Sequence, residues 1–526
     1  MTAASLALGQ KGIAAYAAKM GPKSDYPTVI IGAGLGGLCS GAYLAKQGFP
    51  VTVIEQCHRP GGYACAFDRA DGRFTFDVSL HGTAAKDNAA GRILEDLGVL
   101  ESETLCELPE IYHLKTPELS ISLPQRDPEK YIRLLTDQFP SEREGIQGFV
   151  REIVAISEEG DRLHGKGMCS RLLFPFKYPK IYKVLDKTLA DVMNEYVKDP
   201  ALQNILASLW DFHGLPPSKV SGLYYAAAKG DCLKNGTYYF KRRSSDLSYS
   251  LARIIQSAGG QMLYDTMVER ILVKDGAVSG VVVSGGSTIS ARAVVSNANA
   301  VDTFKRMLPR EAVTKDFLRD LESFRPSLST YIIWLGLNQD VRELIKAAGI
   351  QVLSRQGAEA DYQACLSGDI DKIPFRISAY DNIYEGYSTP GTSTVRILCL
   401  SAYEPWRKFE ADYKAGRKKA YYEEKERWAN ILTHRAEKLI PGLSSMTEVK
   451  VAATPLTNWR YTRNIGGAIY GFEQSVDNAY IQRMDNRTPI KGLYMPSAWS
   501  SPGGGFSGVL VGGQMAFRKM IADWAR

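Results

Sequence analysis

The sequence predicts an α/β fold in two or more domains, one of them a Rossmann-type βαβ nucleotide-binding domain. Three observations lead there. At 526 residues the chain exceeds what one hydrophobic core supports. Near its start a glycine-rich turn lies between a strand and a helix. Near its end a short strand, a glycine loop and a helix close the sequence. An apolar share of 45% and a charged share of 23% suit a folded globular protein.

The opening segment, MTAASLALGQKGIAAYAAKM, has a short apolar stretch with no basic start and no twin arginine. It reads as a helical leader or frayed tail rather than a secretory signal. The uncharged run TVIIGAGLGGLCSGAYLA, residues 28–45, nears the length of a membrane span. Its glycines argue against that. TVIIG is β-branched and reads as a buried parallel strand. The pattern Gly32-x-Gly34-x-x-Gly37 follows, then LCSGAYLAKQ at helical period, a stop at Gly48, and the strand VTVIE ending in Glu55. In that order the glycines have separate tasks: a tight turn, approach of a pyrophosphate to the backbone, and close helix–strand packing. The helix N-terminus offers unpaired N–H groups to phosphate. Glu55, 23 positions after Gly32, stands where a carboxylate accepts from an adenosine ribose. This is a nucleotide cradle.

Beyond Glu55 comes Arg59-x-Gly61-Gly62, whose paired glycines favour close backbone approach to a ligand. It resembles the extension of FAD-binding two-domain oxidoreductases, which implies FAD rather than NAD and a loop passing beneath the flavin's phosphates and ribityl chain. The later GGGFSG, residues 503–508, also fits G-x-G-x-x-G, yet too little chain follows for a second βαβ unit. It reads instead with GLYMPSAWSSP before it and VLVGGQMAFRKMIADW after it. The N-terminus of that last helix, near Gly508, Val509 and Leu510, would face the negative N1/C2 edge of reduced flavin.

With both ends placed, the chain resembles the phytoene desaturase, carotenoid isomerase and retinol saturase superfamily of FAD flavoproteins, which is related more distantly to amine oxidases. The resemblance rests on VIIGAGLGGLCSGAYLAKQGFPVTVIEQCHRPGG, FTFDVSLHG, HGLPPSKVSGLYYAA, MVERILVKDGAVSGVVVSGGSTISARAVVSNA and GLYMPSAWSSPGGGFSGVLVGGQMAF. It implies FAD contacts from Gly32, Ala33, Gly34, Leu35, Gly36 and Gly37, from Glu55 and Gln56, and from Arg59, Gly61, Gly62 and Tyr63. Val268 would hold the adenine through its backbone, and Asn297, Trp499, Gly508, Val509 and Leu510 complete the set. Tyr470 and Trp459 are expected as pocket walls, although large aromatics also serve as core. His81 matches the saturase-like branch and is the candidate catalytic residue, with a structural hydrogen-bonding histidine as the alternative. The glycine pair usual before the helix near Leu247 is replaced by NGTYYFKRRSSDLSYSLARI, which leaves the substrate open.

The resemblance implies a two-domain α/β FAD-dependent oxidoreductase, with the Rossmann-type FAD domain at 26–105, 232–305 and 455–526 and an inserted mixed sheet-plus-helix substrate domain at 106–231 and 306–454. STYIIWLGLNQD (329–340) and TSTVRILCLSAYEP (392–405) read as strands of the latter's sheet. DYKAGRKKAYYEEKERWANILTHRAEKLI reads as one long amphipathic helix. Residues 166–187 carry Lys166, Arg171, Lys177, Lys180, Lys183 and Lys187 against Asp186, interleaved with Phe174, Phe176, Tyr178 and Tyr182. That suits either a membrane-touching patch or an aromatic lid. Eight scattered cysteines without zinc-type spacing fit a reducing compartment and no metal site. The formal charge of +7 is small for this length and gives no support to nucleic-acid binding. The expectation is a cytoplasmic FAD oxidoreductase acting on a hydrophobic unsaturated small molecule, with peripheral membrane contact if residues 166–187 are the membrane-touching patch. Desaturation, saturation and isomerisation share such a site. An amine-oxidase-like enzyme on a polar substrate and a redox-idle flavin-binding protein stay open as alternatives.

Overall fold

The computed structural model describes residues 22–526 apart from residue 80, residues 101–104 and residues 167–172. The N-terminal leader, Cys169 and the Arg171 part of the basic stretch therefore lie outside the described residues.

A five-stranded sheet, parallel throughout, runs in the order Leu493–Tyr494, Ala293–Ser296, Thr28–Ile31, Val51–Ile54, Gln261–Leu263. The strands Thr28–Ile31 and Ala293–Ser296 at its middle are buried on both faces, so they carry β-branched residues without polar alternation. Successive side chains enter different cores. Ile30, Val53 and Val295 pack among the helices Leu35–Lys46, Ser244–Ser257 and Phe506–Trp524. Val29, Ile31, Ile54 and Val294 pack on the other side against Val281 and Val283 of an antiparallel meander, Val268–Lys274, Ala277–Val283 and Thr288–Ser290.

A seven-stranded mixed sheet is built from the intervening chain, in the order Thr447–Ala453, Ser329–Leu337, Ser393–Ser401, Phe375–Ser378, Gly349–Val352, Tyr112–Lys115, Ser120–Leu123. Its longest pairing is the antiparallel register from Ser329 opposite Ser401 to Leu337 opposite Ser393. Tyr331, Ile333, Leu335 and Ile397 enter one large core with Trp406 and Trp428. Ile332, Trp334 and Leu398 turn the other way, toward Phe74 and Phe76 of the hairpin Ala66–Arg69/Phe74–Asp77. The expected single helix over 412–440 is two. Glu410–Lys414 ends ahead of Gly416, which takes a left-handed φ of 82°, and Lys419–Glu437 begins anew. Helical period alone does not register a glycine that lets the chain turn out of the helix. Among the described residues no helix is long and apolar enough to cross a membrane.

Candidate active site

The glycine turn sits at the carboxyl end of the first strand. Gly32 adopts φ +88° and its N–H donates to Ile54 O at 2.8 Å, tying the turn to the neighbouring strand. The helix opens at Leu35 behind Gly34, which has no side chain to cap it, so the first-turn amides stay available to a ligand. The Glu55 carboxylate is buried and accepts from Ala33 N at 2.7 Å and Cys57 N at 2.9 Å. Burial pushes its pKa up, and the backbone donors at Cys57 and Ala33 pull it back. Gly61 N donates to Ala33 O at 2.7 Å, while the Arg59 guanidinium donates to Ala66 O. The loop after Glu55 is thereby pinned beneath the turn. Asn297 N donates to Ile31 O at 2.8 Å, and its amide side chain lies against Gly34.

A second helix tip arrives beside this cradle. The last helix begins at Phe506, a few residues earlier than the run VLVGGQMAF suggests, because Gly505 at φ +85° lets the chain enter it. It crosses the first helix on small residues. A Cβ at Gly513 would lie 2.7 Å from Cys39 Cβ and 2.8 Å from Gly36 O. Two hydrogen bonds fix the crossing: Ser40 Oγ donates to Gly513 O at 2.9 Å and Cys39 Sγ to Leu510 O at 3.3 Å. Both tips open on one cavity of about 3170 Å³, well beyond the roughly 300–1,000 Å³ of an ordinary ligand pocket.

From the turn, Gly32, Gly34, Leu35 and Gly36 reach the cavity wall. Glu55, Gln56, Arg59, Gly61, Gly62 and Tyr63 follow along the next loop. Val268, Asn297, Trp499, Gly508 and Val509 come to the same wall from distant parts of the chain, as do His81 and Tyr470. Ala33, Gly37 and Leu510 lie behind it: Ala33 through its bond to Glu55, Gly37 against Gly32 O and Ile30, Leu510 in the helix core. Trp459 is not a wall residue. Its ring carries Lys414 Nζ at 4.7 Å and the Arg463 guanidinium at 5.3 Å.

Away from the cradle the wall turns apolar, with Leu209, Leu223, Leu398 and Ile469. Phe174, Ile181, Tyr182 and Leu185 line its outer part, while Phe176 beside them is 83% exposed. The positive charge of this stretch is partly matched, since Lys180 pairs with Glu152 at 2.6 Å, and Lys183 and Lys187 pair with Glu195 at 2.7 and 2.5 Å.

One polar group of the wall was not expected from the sequence. Arg376 is buried, bonds both Asp211 oxygens at 2.9 and 3.0 Å, donates to Gln351 Oε1 at 2.7 Å, and stacks 3.4 Å from the Phe212 ring centroid. An arginine inside the apolar strand FRIS was the available signal. His213, within HGLPPSKV, is buried edge-on to Tyr224 and Tyr225. Burial first, and Arg376 second, push its pKa down to about 3, so it is neutral near pH 7. His81 stands edge-on to Phe212, and its Nδ1 accepts from Arg396 Nη2 at 2.9 Å. Burial, then Arg396 and Arg376, hold its pKa well below the usual histidine value. Arginine has only donors, so Nδ1 is the acceptor and the ring proton sits on Nε2.

Residues 30–97 match the NAD(P)-binding Rossmann-like domain family. Over nearly its whole length the chain is similar to two groups of curated proteins. All-trans-retinol 13,14-reductase of Danio rerio is 26% identical, covering 93% of this chain and 84% of that protein. Chloroplastic prolycopene isomerase of Daucus carota is 26% identical, covering 96% and 81%. Among solved structures, cyclohexylamine oxidase from Brevibacterium oxydans superposes with a TM-score of 0.59 at 16% identity, covering 95% of this chain and 98% of the other. The fold is that of the two-domain flavin oxidoreductases.

Proposed function

We propose that this chain, a relative of the retinol saturase and carotenoid isomerase-like FAD-dependent oxidoreductases, binds FAD and moves hydride between it and a hydrophobic unsaturated isoprenoid or enoyl substrate. One observation carries the reading: a single cavity joins the glycine cradle, the tip of the last helix and an apolar chamber. FAD fits the residues present. First-turn amides without a side-chain cap suit its pyrophosphate, the strand-end Glu55 its ribose, and the tip at Gly508 and Val509 its electron-rich ring edge. The FAD-holding part is assigned to 26–105, 232–305 and 455–526 and the substrate domain to 106–231 and 306–454, with Ile469, Tyr470 and Trp499 reaching the chamber from the former. Bound FAD supplies a hydride acceptor when oxidised and a hydride donor when reduced. The chain's own part is to exclude water with Leu209, Leu223 and Leu398, to lay the substrate beside Tyr470 and Trp499, and to present neutral imidazole at His81. An imidazole held neutral is a hydrogen-bond donor rather than a cationic acid.

The test is anaerobic. Photoreduced protein should be reoxidised by a polyene or enone with the saturated product recovered, or return an isomerised product with its flavin still reduced, whereas a desaturating protein should be bleached from the oxidised state by the substrate it desaturates. Bleaching of the oxidised protein by an amine would overturn this in favour of amine oxidation, and indifference to every polyene, enone and quinone would mark a redox-idle protein.

The substrate's entry is assigned to the stretch around Phe176, which we propose rests on an anionic membrane surface through Phe176, Leu173 and Lys177. Phe176→Ser should cut co-sedimentation with phosphatidylserine-containing vesicles several-fold, and undiminished sedimentation would remove the membrane role.

A further inference from the structure

The apolar chamber has a polar pole where the mixed sheet meets it. Arg396 reaches His81 from the strand Ser393–Ser401, and Arg376 stands on the neighbouring strand Phe375–Ser378 with its charge taken up by Asp211 and Gln351. Phe212 lies between, stacked on Arg376 and edge-on to His81. His81 is only half-buried and lines the cavity. Its Nδ1 is taken by Arg396, so the remaining ring group, Nε2–H, is a donor with no acceptor among the described residues. A chamber built for a bare hydrocarbon has no use for a donor held in fixed orientation, because leaving it unmatched costs affinity.

We propose that the substrate carries a hydrogen-bond-accepting oxygen, as hydroxyl or carbonyl, that docks on His81 Nε2–H, and that Arg396 is the positioning residue fixing this tautomer. This rests on the FAD-dependent reading above and narrows its substrate to oxygen-bearing unsaturated chains. The arginine does for the imidazole what a carbonyl or carboxylate does elsewhere, in reverse sense: it occupies the acceptor nitrogen and sends the proton to the ligand side. The Arg396 guanidinium at Nδ1 places positive charge beside the ring, which favours the partially negative oxygen of the ligand.

The experiment compares two polyenes of equal chain length, a terminal alcohol and its deoxy hydrocarbon, titrated into the flavin-loaded full chain and followed by quenching of protein fluorescence. The alcohol is expected to bind about 10-fold more tightly. His81→Phe should erase the difference by weakening the alcohol alone, and His81→Gln, which keeps a donor, should retain part of it. Should His81→Phe fail to fold, His81→Gln and Arg396→Gln carry the test, the latter narrowing the preference by freeing the tautomer. Equal binding of the two polyenes to the unaltered protein overturns the inference and leaves the hydride-transfer reading standing. So does an alcohol preference that survives His81→Phe while the flavin absorption band shifts, which would turn His81 toward the cofactor. If neither polyene binds, both readings fall together.

Discussion

Gly36→Val should lose most of its flavin and much of its stability. A Cβ at this position would press on the Pro496 carbonyl and sit 2.8 Å from Asn297 Oδ1, while Gly36 O itself lies in the crossing with Gly513. Backbone cannot swing aside as a flexible side chain does, so the first turn of the helix has to move out of the crossing. Overpacking of this kind costs about 1–3 kcal/mol, and its relief displaces the amides that receive the pyrophosphate. The expected result is a Tm lowered by several degrees and flavin affinity reduced at least about 10-fold. Both are read by thermal unfolding and by fluorescence of released flavin. Unchanged flavin affinity in a folded Gly36→Val protein would separate the cradle from the cofactor.

Glu55→Leu should be nearly as damaging, by another route. The carboxylate accepts from two backbone N–H groups, Ala33 and Cys57, in a buried place. Leucine leaves both donors unmatched, at about 1–3 kcal/mol each, and removes the group assigned to the ribose. Glu55→Gln keeps one oxygen acceptor but turns an amide donor toward the other N–H, so it should recover only about half. The comparison is made by urea unfolding of the flavin-free proteins. A Glu55→Leu protein as stable as the unaltered chain would show that these two bonds carry nothing.

Much of the architecture was legible because it depends on short-range rules. A β-branched run ending in Gly32, a helix behind Gly34 and a second strand ending at Glu55 leave little choice of local structure. The nine-residue strands Ser329–Leu337 and Ser393–Ser401 announced themselves by β-branched composition. The hairpin Tyr112–Lys115/Ser120–Leu123 did not, since HLK and SIS are too short and mixed to stand apart from a loop. Its place at the sheet edge is decided by pairing with Gly349–Val352, far away in the chain. Gly416 shows the opposite error, a helical period continued through a residue that breaks it. At the site, the residues of the cradle share one motif and were read together. Arg376, Asp211 and Arg396 converge from separate stretches, and no spacing in the sequence links them. Trp459 was expected as a wall near the flavin; its ring instead packs partly buried against the large core, with Lys414 and Arg463 over it.

The central claim is that two helix tips, at residues 34–36 and 506–509, hold opposite ends of one flavin. The direct measurement is a crystal structure of the yellow, FAD-loaded protein at a resolution that orients the isoalloxazine ring. The pyrophosphate is expected at the Leu35 and Gly36 amides and the pyrimidine edge of the ring at Gly508 and Val509. A ring turned away from the last helix, or a protein that stays colourless when FAD is supplied, would contradict it.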